Sequence, residues 1–137
     1  MAISGSCFCG AITYSIEGVL RDARFCHCSM CRKLFNAQSS AFALISSDDF
    51  SWVSGESLLS SFESKRGSGI KFCSQCGSTL CGTDKGEVIG VTLGCVDGDP
   101  EIETGIHIFV ASKATWEVIP KDVTQFDEWP PQLRDRE

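Results

Sequence analysis

The sequence predicts a mainly β fold with short helical turns. Two observations carry this: apolar residues recur at period two in several short runs, and Ser, Asp and Gly clusters punctuate those runs. At 137 residues, 42% hydrophobic and 22% charged, the chain is large enough for one core and too short for two independent ones. We therefore expect a single domain over residues 1–129, with Pro130, Pro131 and the charged 134–137 stretch marking a frayed tail at 130–137.

The first segment, Ser6 to Ile16, alternates as a half-buried strand through Ile12, Tyr14 and Ile16. On an extended backbone, side chains two apart face the same way, so Cys7 and Cys9 can converge, and Gly10 gives the backbone room to turn. Gly18 to Arg24 reads as a loop. By the same alternation Cys26 and Cys28 project together while His27 points away, and Cys31 returns after two residues in a first helical turn. Ser29 is the expected N-cap of a short helix running to Phe35 and ending near Asn36.

Ala41 to Ile45, Phe50 to Val53 and Leu58 to Phe62 then read as strands, followed by the basic turn 65–69 and by Ile70 to Phe72. Cys73-Ser74-Gln75-Cys76-Gly77 is a knuckle in which two intervening residues form a tight turn and Gly77 takes positive φ. Beyond it, Ser78 to Thr83, Glu87 to Cys95, Ile106 to Val110 and Trp116 to Ile119 extend the β pattern, with an Asp97-Gly98-Asp99-Pro100 turn between.

Seven of the nine cysteines thus fall in tight spacings; Cys81 and Cys95 stand apart in apolar runs and read as buried free thiols. Residues 1–10 have no secretory signal character, and no run approaches the roughly 18 apolar residues of a membrane span. A cytoplasmic location follows, where disulfides are disfavoured and metal binding is the better reading of clustered thiols. A redox pair at Cys73 and Cys76 would need a helix opening at the motif, whereas strand-like residues flank it. Grouping Cys7 and Cys9 with Cys73 and Cys76 gives a closed four-thiolate site of the structural type. Cys26, Cys28 and Cys31 then keep an open position, the type that does chemistry, although ligand counting alone permits other permutations. We expect two zinc ions per chain. The formal charge of −6 would fall to about −9 with seven thiolates on two zinc ions. Such a chain repels a phosphate backbone, which argues against a nucleic-acid module.

With these clusters in order, the chain resembles the glutathione-dependent formaldehyde-activating enzyme (GFA) family, which also contains centromere protein V. The resemblance rests on Gly5 to Tyr14 around Cys7 and Cys9, on Cys26-His27-Cys28-Ser29-Met30-Cys31-Arg32-Lys33, on Phe72 to Gly77, and on His107-Ile108-Phe109 with Trp116. It implies stacked antiparallel sheets of the zinc-binding β-tent type, a structural zinc at Cys7, Cys9, Cys73 and Cys76, and a catalytic zinc at Cys26, Cys28 and Cys31. It also implies a carbon–sulfur lyase acting on a small-molecule thiol and aldehyde, joining glutathione to formaldehyde. Glutathione is anionic, so basic residues are needed, and Arg32, Lys33, Arg66, Lys71 and His107 are the candidates for substrate binding. After Lys33 the chain carries the bulk of Leu34 and Phe35 where the family pattern favours a small residue. The competing reading is a non-catalytic zinc-stabilised scaffold for a protein partner, with the triplet closed by His27, His107 or another side chain.

Overall fold

The computed structural model describes residues 2–103 and 105–132. In chain order the strands are β1 (Ile3–Ser6), β2 (Thr13–Ile16), β3 (Arg21–Cys26), β4 (Ser40–Leu44), β5 (Phe50–Ser54), β6 (Leu59–Glu63), β7 (Ser68–Cys73), β8 (Thr79–Asp84), β9 (Glu87–Thr92), β10 (Ile106–Ile108) and β11 (Thr124–Gln125). Among the described residues there is one α-helix, α1 (Ser29–Phe35), between β3 and β4, and single 3₁₀ turns fill several connections. The chain is mainly β, as expected. Among the described residues no helix is long and apolar enough to cross a membrane.

The chain divides into two compact units, one of Met1–Asp22 with Ala43–Ile102 and one of Ala23–Phe42 with Glu103–Glu137. In the first unit, β1, β2 and β5 form an antiparallel sheet. Strands β6, β7, β8 and β9 run as an antiparallel meander. The predicted alternation of Ile12, Tyr14 and Ile16 is real: all three are fully buried, and they join Ile45, Leu80, Cys81, Val88 and Val91 in one core cluster. Cys7 and Cys73 belong to the same cluster. Tyr14 anchors its aromatic side, with Phe50 at 5.1 Å and Trp52 edge-on at 6.1 Å between ring centroids. Removing this apolar surface from water, at about 25 cal/mol per Å², is what holds the unit together.

In the second unit, β10 pairs in parallel with β3 on one side and with β11 on the other. Strand β4 is the other neighbour of β3. The parallel register sets Phe25 opposite His107 and Cys26 opposite Ile108. Backbone bonds from Phe109 to Glu128 and from Val110 to Phe126 fasten the end of β10 to the C-terminal segment. Of the tail expected at 130–137, residues 133–137 lie outside the described residues, and Pro130 is buried.

Several element boundaries differ from expectation. Residues 7–12 form a turn rather than the start of a strand, because Gly10 N–H donates to the Cys7 carbonyl and Cys7 N–H to the Ile12 carbonyl. Strand β3 begins at Arg21, inside the expected loop; its neighbours are β4 and β10, the latter paired with Arg24 to Cys26, and β10 lies about 80 residues away in sequence, where a local reading cannot foresee it. Residues 93–95 leave β9 as a 3₁₀ turn. No strand forms at Trp116 to Ile119; the chain turns there, with Glu117 N–H donating to the Ala114 carbonyl.

Candidate metal centres

Two thiol clusters form. In the first unit, Cys7 and Cys9 arrive on the turn between β1 and β2, Cys73 ends β7, and Cys76 follows on the turn into β8. The four sulfurs lie within 4.8 Å of one another. Cys7 and Cys9 are 3.6 Å apart and Cys9 and Cys73 3.8 Å. The turns that present them are alike: Gly10 N–H donates to Cys7 O and Gly77 N–H to Cys73 O, and both glycines take φ near +80° (79° and 80°), a region costly for other residues. Cys73 and Cys7 sit inside the core while Cys9 faces solvent.

Amide and hydroxyl donors surround these sulfurs. Ile12 N–H donates to Cys7 Sγ at 3.4 Å. Ser78 Oγ accepts from Phe8 N–H at 2.9 Å and lies 3.2 Å from Cys76 Sγ. Its own proton is therefore free to go to the sulfur, and hydrogen bonding from Ser78 pushes the Cys76 thiol down to about 5. Sequence reasoning misses Ser78, because a hydroxyl two residues after a knuckle cysteine carries no distinctive signal.

In the second unit, Cys26 ends β3, Cys28 occupies the N-cap of α1 and Cys31 lies in its first turn. Their sulfurs also lie within 4.8 Å of one another. The expected cap, Ser29, is the first helical residue instead. The Cys28 sulfur takes the capping role, accepting from Cys31 N–H at 3.3 Å, so one interaction both starts the helix and draws the two thiols together. Cys28 is held far below the usual thiol range by hydrogen bonds from Cys26 and then Cys31. Cys26 is driven far above it by the hydrogen bond it gives Cys28. Left to themselves, three sulfurs this close share their protons and ionise unequally; only a soft divalent cation lets all three be thiolates at once. Both donor sets fit such a cation, and all-sulfur ligation is characteristic of zinc-type sites.

His27 does not join the triplet. It is 0% exposed, and both ring nitrogens are engaged, Nδ1 with Glu117 Oε2 at 2.9 Å and Nε2 with His107 Nδ1 at 2.8 Å. His107 in turn stacks on Phe25 with centroids 4.8 Å apart. His27 is thus neither a ligand of the triplet nor a surface residue, and the parity of the strand explains why: its side chain leaves on the face opposite Cys26 and Cys28. Glu117 escapes a sequence reading because it sits 90 residues from His27 in a stretch that reads as an ordinary strand.

Of the predicted substrate-binding residues, Arg32, Lys33 and His107 belong to the unit that holds the three-thiol cluster, whereas Arg66 and Lys71 belong to the unit with the four-thiol cluster. Arg32 braces the site: its Nε donates to the His27 carbonyl at 3.4 Å and a terminal nitrogen to the Ser112 carbonyl at 3.3 Å. Lys33 is exposed on α1, Arg66 is exposed in the turn before β7, and Lys71 is half-buried within β7. Cys81 and Cys95 stay out of both clusters. Cys81 is fully buried and pushed up to about 12 by burial, while Cys95 is half-buried, pushed up to about 11 by burial, and donates to the Thr79 carbonyl at 3.5 Å. A cavity of about 460 Å³ lined by Ile3, Val19, Leu20, Asp97 and Glu101 contains none of the cysteines.

The sequence profile of the family described as "Glutathione-dependent formaldehyde-activating enzyme" matches residues 2–112, a span that includes all seven clustered cysteines. No curated protein matches the chain. Among solved structures, the crystal structure of a Rhodobacter sphaeroides protein is similar at 25% identity and a TM-score of 0.56, covering 90% of this chain and 98% of that one. Two turn-mounted cysteine clusters on a mainly β frame, matched over most of its length by one family profile, place this chain in the glutathione-dependent formaldehyde-activating enzyme family.

Proposed function

We propose that the protein is a zinc-dependent carbon–sulfur lyase that adds a glutathione-like thiol to formaldehyde or a related small aldehyde at the Cys26, Cys28 and Cys31 site. In this reading zinc at Cys7, Cys9, Cys73 and Cys76 is structural, a second zinc is held by the triplet, and the protein works in the cytoplasm. The single observation that carries the reading is the inequality of the clusters: four sulfurs converge in one and three in the other. Four thiolates complete a tetrahedral site, and three leave a position for an exchangeable ligand.

The reaction is a simple addition. The thiol sulfur forms a bond to the aldehyde carbon, the carbon–oxygen π bond breaks, and the thiol proton ends on the new hydroxyl. Zinc supplies positive charge that lowers the pKa of a thiol and polarises a carbonyl. The protein contributes placement, which is most of what such an addition requires. Cys28 fixes the start of α1 through the Cys31 N–H, and Arg32 ties the helix to the His27 carbonyl, so the triplet is presented on a braced turn. Lys33, exposed on the same helix, offers a charge for a thiol substrate's carboxylate, and Arg66, Lys71 and His107 remain candidates for the same role.

The test is to mix ¹³C-formaldehyde and glutathione with zinc-loaded protein and follow S-hydroxymethylglutathione by NMR. Adduct formation faster than the uncatalysed rate is expected. No acceleration by protein carrying two zinc ions overturns that substrate pair.

A further inference from the structure

In the run Trp116-Glu117-Val118 the usual burial order is inverted. Trp116 and Val118 are 70% and 91% exposed, while the Glu117 side chain is only 11% exposed. Covering a carboxylate and leaving two apolar side chains in water is unfavourable unless the acid has a specific partner. That partner is His27, the residue between the first two thiols of the triplet. Two bonds hold the segment in place, one from Glu117 N–H to the Ala114 carbonyl at 3.1 Å and one from Lys113 Nζ to the Glu117 carbonyl at 3.0 Å.

Every polar handle of His27 is occupied. The backbone N–H donates to the Ile108 carbonyl at 2.9 Å, the backbone carbonyl accepts from Arg32, and the ring is pinned at both nitrogens. An ionised carboxylate only accepts, so Glu117 fixes the His27 proton on Nδ1. Nε2 and His107 Nδ1, 2.8 Å apart, share one proton in the bond between them. The ring cannot rotate without breaking one of these bonds in a dry site. Because residues 26 and 28 project opposite residue 27, a ring fixed on one face sets the roll of the backbone, and hence the direction of both sulfurs, on the other.

We propose that Glu117, acting through His27, is a positioning residue for the three-thiol metal site. This rests on the zinc reading of that cluster and adds to it a carboxylate that touches neither the metal nor the substrate. The role is analogous to that of the outer carboxylates that orient metal ligands, here exerted through the backbone between two ligands instead of through a ligand ring.

The test uses zinc-loaded full-length protein, challenged with graded chelator, with zinc release measured and iodoacetamide labelling mapped by peptide mass spectrometry. For Glu117→Ala we expect Cys26, Cys28 and Cys31 to release zinc with roughly 10–100-fold weaker affinity and to label correspondingly faster, with Cys7, Cys9, Cys73 and Cys76 unchanged. Glu117→Gln, whose amide oxygen can still accept from His27 Nδ1–H, should recover to within a few-fold of wild type. Equal loosening of both clusters, or Glu117→Ala within twofold of wild type at the triplet, overturns the proposal. If Glu117→Ala does not fold, Glu117→Asp replaces it; that change draws the carboxylate back from His27 Nδ1, and wild-type zinc affinity at the triplet would again overturn the role. A wild-type chain that holds one zinc removes the underlying reading instead, so the two failures are separable.

Discussion

Replacing Tyr14 by Phe should stabilise the protein. Tyr14 is 1% exposed and packs on Phe50 and Trp52, and its hydroxyl is buried without a hydrogen-bond partner among the described residues. A buried unpaired hydroxyl costs about 1–3 kcal/mol, and removing it while the ring stays leaves a void of roughly one oxygen, worth a few tenths of a kcal/mol. The net gain should be about 1–2 kcal/mol, or roughly 3–8 °C in Tm for a chain of this size. Urea unfolding of both proteins at one fixed zinc concentration measures it, since bound metal shifts both curves equally. The same residue carries a pH signature. Burial raises the Tyr14 pKa above its ordinary 10.0, so the unfolded chain ionises first; the stability tied to the phenol is present below pH 10.0 and lost as pH rises towards the folded value. The Tyr14→Phe protein should therefore lose less stability above pH 10. Destabilisation by more than about 1 kcal/mol at neutral pH would mean the hydroxyl has a partner, and the accounting would fail.

The clusters should respond differently to single changes. Cys76→Ser should lose one metal and lower Tm by more than about 10 °C, because that site is welded to the core through Cys7 and Cys73; Cys31→Ser should lose one metal and activity with a Tm change of a few degrees, and equal shifts would contradict the assignment. In native protein at pH 8, iodoacetamide should label Cys95 slowly and spare Cys81, whose thiol is fully buried and held near 12; rapid Cys81 labelling by peptide mapping would refute that burial. Asn36 closes α1 in the left-handed region at φ 54°. Asn36→Gly should be neutral to slightly stabilising and Asn36→Ala should cost about 1 kcal/mol by denaturation, an ordering whose reversal would discount the cap.

What could be read from the sequence was what depends on short spacing. Cysteines two or three apart must converge when the chain turns, glycines after them mark the turns, and the alternation of Ile12, Tyr14 and Ile16 marks a core face whatever else the fold does. Features decided by distant pairing were hidden. Trp116 to Ile119 alternates like a strand yet finds no strand neighbour, whereas Thr124 and Gln125, with no apolar signal and both exposed, form β11 because β10 offers them an edge. Ser29 has the better capping propensity, but Cys28 takes the cap since its sulfur is already drawn towards Cys31. Glu117 illustrates the same limit at the candidate site: its meaning comes wholly from His27, 90 residues away.

Helix α1 is seven residues long and buries none of them. Isolated helices shorter than about 12 residues do not persist in water, so this one is maintained by a sulfur cap at Cys28, a left-handed Asn36 and, from its middle, the Arg32 tether. The thiols that would grip an ion are therefore also the fastenings of the helix, and any event that reorders them is transmitted as winding or fraying of the turn that displays Met30 and Lys33 to solvent. Amide exchange along residues 29–35 would then follow the occupancy of the triplet like a gauge, making ligand exchange at sulfur visible as a change in local folding.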